Sequence, residues 1–390
     1  MKENIRIYTL AVICFIISIT EFVIVGILDI IANSVHVSVA AAGQLLTVYS
    51  ASAAIGVPIA IMACAKWDRS KVLQFALGTV AVGNILMFLA PNFLLLLIAR
   101  IVLSVGSGIF TITAMTVSTK LVRADRQGSA IATINTGFSA ALILGLPLGR
   151  VLTAALGWKA IFLGSAMFSL MMIFVVAMMI PKTAGEEAVP LTKQILLLKN
   201  PRIIMTMVVT FFWIGGYGVL YTYITPFLQA VTSMNSEVIS VTLFIFGFAT
   251  LVGTKLGGYL GDHVGIKKSL IGSMVGHALV LFLLTVVAGS NVMAILLLVI
   301  WAVTAWATSP VQQVNVLTTA PESSGMMLSL NNSFLQLGFA IGAGAGGIVM
   351  ENSLRAVSLT GALFVVVGIV FAFISFRIKG LEENTLVAEI

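Results

Sequence analysis

Gly258-Tyr-Leu-Gly-Asp262-His-Val-Gly265-Ile-Lys267-Lys268 is the stretch on which the reading of this chain turns. One carboxylate, two lysines and several glycines are squeezed between two apolar runs, 238–260 and 269–289, each of membrane-crossing length. A helix rises ~1.5 Å per residue, so about 20 apolar residues cross a hydrocarbon core ~30 Å thick. Working outward, runs of this kind fall at 7–28, 42–64, 72–90, 93–119, 128–153, 158–180, 203–229, 238–260, 269–289, 292–317, 326–349 and 355–376. The 390 residues are 59% hydrophobic and 9% charged, with a mean hydropathy of +1.13, against roughly a quarter charged in soluble domains. Regular alternation of apolar and polar residues is absent, which argues against an outer-membrane barrel. The reading is an all-α membrane protein with twelve transmembrane helices.

The pattern G-x-x-x-D-x-x-G-x-K-K resembles the loop signature of the major facilitator superfamily, and it lies between the eighth and ninth apolar runs, where that superfamily carries its second copy. The resemblance implies two pseudo-symmetric six-helix bundles around a central cavity. It also implies a gating role for Gly258, Asp262, Gly265, Lys267 and Lys268. Asp262 is expected to cap a helix N-terminus, or to pair with basic residues across the interface between halves. The first loop, Ala65-Lys-Trp-Asp68-Arg69-Ser-Lys71, keeps the basic residues but not the glycines or the standard aspartate position. The gating role is therefore carried over to Asp262 rather than Asp68.

Charge sets the expected orientation. Sixteen Lys and Arg fall at the N-terminus, in the even-to-odd loops and in the tail, against three (Arg150, Lys159 and Arg355) on the other side. Basic residues stay inside, so both termini are expected in the cytoplasm. The net charge of +7 is then a topology signal and implies no nucleic-acid partner. The first run carries Glu21 and no small-residue cleavage site, so it is read as a membrane span rather than a cleaved signal. Cys14 and Cys64 make neither a disulfide framework nor a metal cluster.

The polar segment 181–202 divides the chain into an N-terminal bundle (1–180), a C-terminal bundle (203–376) and a tail (377–390). At an offset of 197 residues Gly56 meets Gly253, Lys71 meets Lys268, Gly128 meets Gly325, Asn135 meets Asn332, Gly145 meets Gly342, Gly149 meets Gly346 and Gly164 meets Gly361. A duplicated transporter predicts such pairs, with the substrate site near the midplane; shared membrane composition is the alternative.

Glu21 is the leading functional candidate. A charge at the bilayer centre costs about 2.5–3.5 kcal/mol on insertion scales, so such a residue faces a cavity or a partner. Carboxyls withdrawn from water exchange protons closer to neutral pH than solvated ones. Arg100, in Ile98-Ala99-Arg100, has two readings: it points into the bundle, where relatives use an arginine in proton coupling, or it snorkels to the interface near Asn92. Asp29, where efflux relatives carry Leu-Pro, is read as solvated, and leaves open whether the first helix bends there. Lys255 is expected to snorkel.

Gly145-Leu-Pro147-Leu-Gly149 resembles the "antiporter motif" of superfamily exporters, with Arg150 in place of its usual final glycine. Small residues let helices approach closely, and proline bends them. Candidate substrate contacts are Asn135, Trp213, Tyr217, Tyr221, Trp306, Gln313, Asn332 and Gln336, polar or aromatic groups in mid-helix that suit flat or amphipathic solutes. No Gly-Lys dipeptide exists to form a phosphate loop. No metal, cofactor or enzyme domain is expected, and a proton gradient is the expected energy source.

Thr20-Glu21-Phe22…Gly26 and Trp306…Pro310-Val-Gln312-Gln313 resemble the drug/proton antiporter branch, among bacterial sugar-, arabinose- and purine-efflux proteins. The resemblance implies a monomeric, multi-pass protein of the bacterial cytoplasmic membrane, exchanging protons for a drug, purine or nucleoside, or sugar. Uptake by symport or facilitated diffusion stands as the alternative, and lipid translocation or a non-transporting role as a third.

Overall fold

A computed structural model describes residues 2–123, 126–182, 191–232, 234–286 and 290–378. Among these every regular element is helical: α1 (Lys2–Gly26), α2 (Leu28–Ser34), α3 (Val39–Ala63), α4 (Arg69–Leu89), α5 (Phe93–Lys120), α6 (Gln127–Leu156), α7 (Trp158–Met179), α8 (Leu191–Leu197), α9 (Pro201–Tyr221), α10 (Ile224–Thr232), α11 (Ser236–Val264), α12 (Ile266–Val286), α13 (Asn291–Thr319), α14 (Ser324–Met350) and α15 (Leu354–Arg377), with one 3-10 turn at Pro321–Ser323. Twelve of them are long and apolar enough to cross a membrane. Glu186, Glu187, Pro190, Lys379 and most of the 377–390 tail lie outside the described residues.

Helix starts follow from local chemistry. The first N–H groups of a helix lack intrahelical partners, and a short polar side chain just before them supplies one. Ser38 accepts from the Ala41 amide, Asn92 from Leu95 and Asn200 from Arg202, the last beside Pro201 at the first helical position. Gly157 (φ 80°) and Gly265 (φ 92°) turn the chain between α6 and α7 and between α11 and α12 in a conformation side chains resist.

Two expected spans end early. The run 7–28 is interrupted at Ile27, whose N–H returns to the Ile24 carbonyl (3.2 Å), and α2 starts beyond it. The run 203–229 is interrupted at Thr222–Tyr223, with Tyr223 N–H donating to Leu220 O (3.0 Å). The first helix thus breaks without the proline of its relatives, and Asp29 falls in the first turn of α2, where the helix dipole favours an acid.

The helices pack as two units. Unit 1 comprises Met1–Ala188 together with Ile224–Pro226 and Asn235–Gly247; unit 2 comprises Val189–Tyr223, Phe227–Met234 and Phe248–Ile390. This departs from a simple cut at 181–202, because the first turns of α10 and α11 are fastened inside unit 1. Thr225 donates its hydroxyl to the Val25 carbonyl (3.1 Å), and Gly247 packs on the backbone of Ile143. In unit 2, α8 seats Leu197 among Ile203, Met207, Val316, Met327 and Leu330.

The paired glycines make matching contacts in the two units. In unit 1 a Cβ at Gly145 would meet Phe22 at 2.8 Å, and one at Gly149 would meet the Val23 carbonyl at 3.2 Å, so α6 lies directly on α1. In unit 2 Gly346 lies 2.6 Å, by the same measure, from the Val219 carbonyl, and Gly342 packs on the Gly215 backbone, so α14 lies on α9. Gly56 faces Val105 as Gly253 faces Val303. At Gly253, Gly342 and Gly346 the nearest atoms are backbone, so helix lies on helix there, whereas Gly56 makes room for the Val105 side chain.

Candidate functional site

Glu21 is part-buried on α1 and meets residues from α3 and α5. The Tyr49 hydroxyl donates to Glu21 Oε2 at 3.2 Å. Arg100 is 1% exposed, which decides between its two readings: it points into the bundle. Its Nε donates to Leu45 O (3.2 Å) and its Nη1 to Thr20 O (3.1 Å). The guanidinium carbon stands 4.1 Å from the centre of the Tyr49 ring, a cation–π contact. Ser104 fixes the tyrosine from behind, donating to its carbonyl at 2.6 Å.

Tyr49 therefore stands between acid and base, touching one through its hydroxyl and the other through its ring. Carboxylate and guanidinium make no direct ion pair, and Arg100 Nη2 has no hydrogen-bond partner among the described residues. A buried cation with a spare donor beside a carboxyl can stabilise negative charge arriving there. Tyr49 was not legible in the sequence as a candidate, since its partners are 28 and 51 positions away. The available signal was a lone phenol in the middle of a membrane-length helix.

The aromatic candidates of unit 2 come together. Tyr217 and Tyr221 stack at 4.8 Å, and Tyr217 meets Trp306 edge-on at 5.9 Å. Trp213 is buried, its indole N–H donating to the Ala305 carbonyl at 3.0 Å, so it braces α9 against α13. Three neighbours went unread: Trp301, 5.2 Å from Tyr217; Phe339, 6.2 Å from Tyr221; and His277, 6.2 Å from Trp301.

The polar candidates divide by face. Gln313 is exposed on the half-buried side of α13 that carries Trp306, while the buried side holds the unpredicted Gln312. Gln312 donates to Thr206 O and Thr210 Oγ1 (both 2.9 Å) and accepts from Asn315 (3.2 Å); Thr210 in turn donates to Asn331 Oδ1 (2.7 Å). That closed network ties α9, α13 and α14 together. Asn332 is exposed and Gln336 half-buried on α14; Asn135, on α6 in unit 1, is exposed like its repeat partner Asn332.

Asp262 departs from expectation. It sits in the last turn of α11, exposed, with no hydrogen bond or ion pair among the described residues, and so caps no helix N-terminus. The α11 helix runs on to Val264, which reduces the loop to Gly265 and brings Lys267 and Lys268 into the first turn of α12, both exposed. Gly258 has open space where a side chain would be, whereas its neighbour Gly257 packs on Ala307. The capping carboxylate is Asp68, whose Oδ1 accepts from the Ser70 and Lys71 amides at 2.9 and 3.3 Å. Lys255 is exposed. Pro147 lies inside a continuous α6, and Cys14 and Cys64 are buried free thiols. No group of His, Cys, Asp and Glu able to hold a metal occurs among the described residues.

Twelve membrane-length helices in two units with glycine-seamed, repeating contacts, and ionisable groups gathered inside, define a polytopic secondary transporter. The chain matches the Major Facilitator Superfamily model over residues 10–343 and 206–387. It is 41% identical over 378 residues to an uncharacterized MFS-type transporter, YbcL, of Bacillus subtilis, and 30% identical over 379 residues to the inner membrane transport protein YdhP of Escherichia coli; each alignment covers 97% of both chains. The fold is shared with a bacterial homolog of the human lysosomal transporter Spinster, solved in an inward-facing, unoccupied conformation (TM-score 0.80, 16% identity, 96% of this chain and 97% of that one). The chain belongs to the major facilitator superfamily and is a multi-pass membrane transporter of small molecules.

Proposed function

We propose that this transporter is a proton-coupled efflux antiporter for a small organic solute, set in a bacterial cytoplasmic membrane with both termini inside. The observation that carries the reading is the Glu21–Tyr49–Arg100 cluster. A carboxyl among apolar helices can hold a proton as a neutral acid or release it as a carboxylate, and a fixed guanidinium stands 4.1 Å from the ring of the Tyr49 that the carboxyl bonds. Tyr49 reports the change: its hydroxyl donates to the carboxylate at 3.2 Å and loses its acceptor charge on protonation.

In this cycle Glu21 takes a proton from the outside as solute departs, and gives it up inside before the next solute binds. Linkage then does the work: the pH gradient biases one occupancy over the other, and solute moves against its own gradient. The resemblance of Gly145-Leu-Pro147-Leu-Gly149 to the antiporter motif of exporters supports export, and its two glycines lie against the helix that carries Glu21. The aromatic cluster of Tyr217, Tyr221 and Trp306, with Trp301 and Phe339, supports a flat or amphipathic cargo such as a purine, a nucleoside or an aromatic drug; sugars are the weaker fit. The YdhP relative's inner-membrane name and the sixteen-to-three bias of basic residues support the location and the orientation. Coupling is read in a single chain.

Inverted membrane vesicles with an acid interior test this, using a panel of labelled purines, sugars and cationic dyes. Accumulation of one of them that collapses with the pH gradient is the expected result. Accumulation only in right-side-out vesicles with acid outside would replace export by uptake.

A further inference from the structure

The proton cycle leaves a second ionic cluster unused, at the far end of α6. Arg150 is 7% exposed although it ends the motif where relatives carry glycine. Its Nη1 donates to the Gly26 carbonyl (3.1 Å) and lies 3.7 Å from Asp29 Oδ1; its Nη2 donates to Ser236 Oγ at 3.0 Å. One side chain thus holds the frayed end of α1, the first turn of α2 and the first turn of α11. Asp29, expected to be solvated, is paired.

The fastening ends a longer seam. Seven residues back along α6, the Ile143 carbonyl faces Pro147, which has no N–H to offer it, and Gly247 of α11 presses on the same Ile143 backbone. Between Ile143 and Arg150 the α6 sequence holds only leucine, glycine and proline, so no side chain there can hydrogen-bond to a neighbouring helix. Arg150–Ser236 is a polar tie between α6 and α11.

We propose that Arg150 is a latch on the outer side of the transporter, closed in this structure and released when the protein opens outward. The proposal rests on the orientation given under the proposed function. Ser236 is the bond that gives way. It is a neutral hydroxyl in an exposed first turn, beside a cleft of about 520 Å³ lined by Ile30, Arg150, Val151, Ala154, Ser236 and Ser240, so water replaces the arginine at once. The bonds to Asp29 and Gly26 keep the cation paired while α11 leaves, so no buried charge is stranded.

The test uses the full-length protein with Cys14→Ser and Cys64→Ser, and a single probe, Ile27→Cys, at a fully buried position in the helix break. Labelling with a membrane-impermeant maleimide is timed on intact cells and on inverted vesicles. Ser236→Ala and Arg150→Gln are expected to speed labelling from outside about tenfold, the effect of one charge-assisted hydrogen bond on a two-state equilibrium. Asp29→Asn, which leaves the Ser236 bond intact, is expected to speed it less. Unchanged labelling on both sides in Ser236→Ala, which removes one exposed hydroxyl and keeps the fold, overturns the latch. Acceleration confined to inverted vesicles overturns the orientation instead. Neither readout depends on solute or on proton coupling.

Discussion

Placing a methyl group along the α1–α6 seam separates close packing from ordinary helix preference. At Gly26 a Cβ would stand 2.5 Å from the Leu146 carbonyl oxygen, with the Leu146 carbonyl carbon and Cα both at 3.2 Å, so backbone meets backbone. At Gly145 it would stand 2.8 Å from Phe22 Cβ, and at Gly149 3.2 Å from Val23 Cγ1 and O. Against a normal contact of about 3.5 Å, the helices must part by roughly 1.0, 0.7 and 0.3 Å respectively. Overpacking of this kind costs about 1–3 kcal/mol, and replacing a helical glycine by alanine returns up to ~1 kcal/mol. Gly26→Ala is expected near the top of that range, Gly145→Ala in the middle, and Gly149→Ala close to neutral. Gly128→Ala and Gly164→Ala, where a Cβ meets nothing within 4 Å, serve as controls and are expected to be neutral or stabilising. Thermal unfolding of the purified protein in detergent, followed by tryptophan fluorescence, gives the ranking. Since α1 carries Glu21 one residue from Phe22, transport is expected to fall in the same order. Gly26→Ala melting at or above Gly164→Ala would refute the reasoning.

Arg100→Leu removes the bonds to the Leu45 and Thr20 carbonyls and the cation near Glu21, and is expected to destabilise by about 1–3 kcal/mol, with Glu21→Gln as a second substitution recovering part of the loss; a double-mutant cycle on unfolding measures the coupling. Asp68→Ala removes the α4 cap and is expected to lower stability by about 0.5–2 kcal/mol, while Asp262→Ala, at an exposed and unpartnered position, stays within ~0.5 kcal/mol of the parent. Gln312→Leu strands the Thr206 carbonyl and Asn315 and is expected to cost about 1–3 kcal/mol in the same melts, whereas Gln313→Leu is expected to leave the melting temperature unchanged.

The twelve spans were legible because length and hydropathy alone decide whether a segment crosses a bilayer. The repeat was legible through Gly145 with Gly342 and Gly149 with Gly346, since close helix approach favours glycine there. Glu21 stood out because a charge within an apolar run needs a reason. What stayed hidden depends on helical phase and on long-range contact. Gln312 and Gln313 are neighbours in sequence, yet 100° of rotation sends one into the network and leaves the other exposed. Tyr49 carries no motif, and its role exists only because α3 brings it between α1 and α5. Asp262 is not a cap because the α11 helix continues through the signature to Val264, which leaves Gly265 rather than Asp262 in front of α12. Arg150 was read as a departure from the motif's final glycine and counted on the outer side; that its long side chain reaches Gly26 and Ser236 is invisible in sequence.

The central claim is that the proton carried by Glu21 drives the solute. Proteoliposomes holding either the parent protein or Glu21→Gln, assayed for pH-gradient-driven accumulation and for solute exchange without a gradient, address it directly. The account predicts that Glu21→Gln, fixed in a neutral state, exchanges solute yet accumulates none. Accumulation by that variant equal to the parent's, at the same pH gradient, would contradict it.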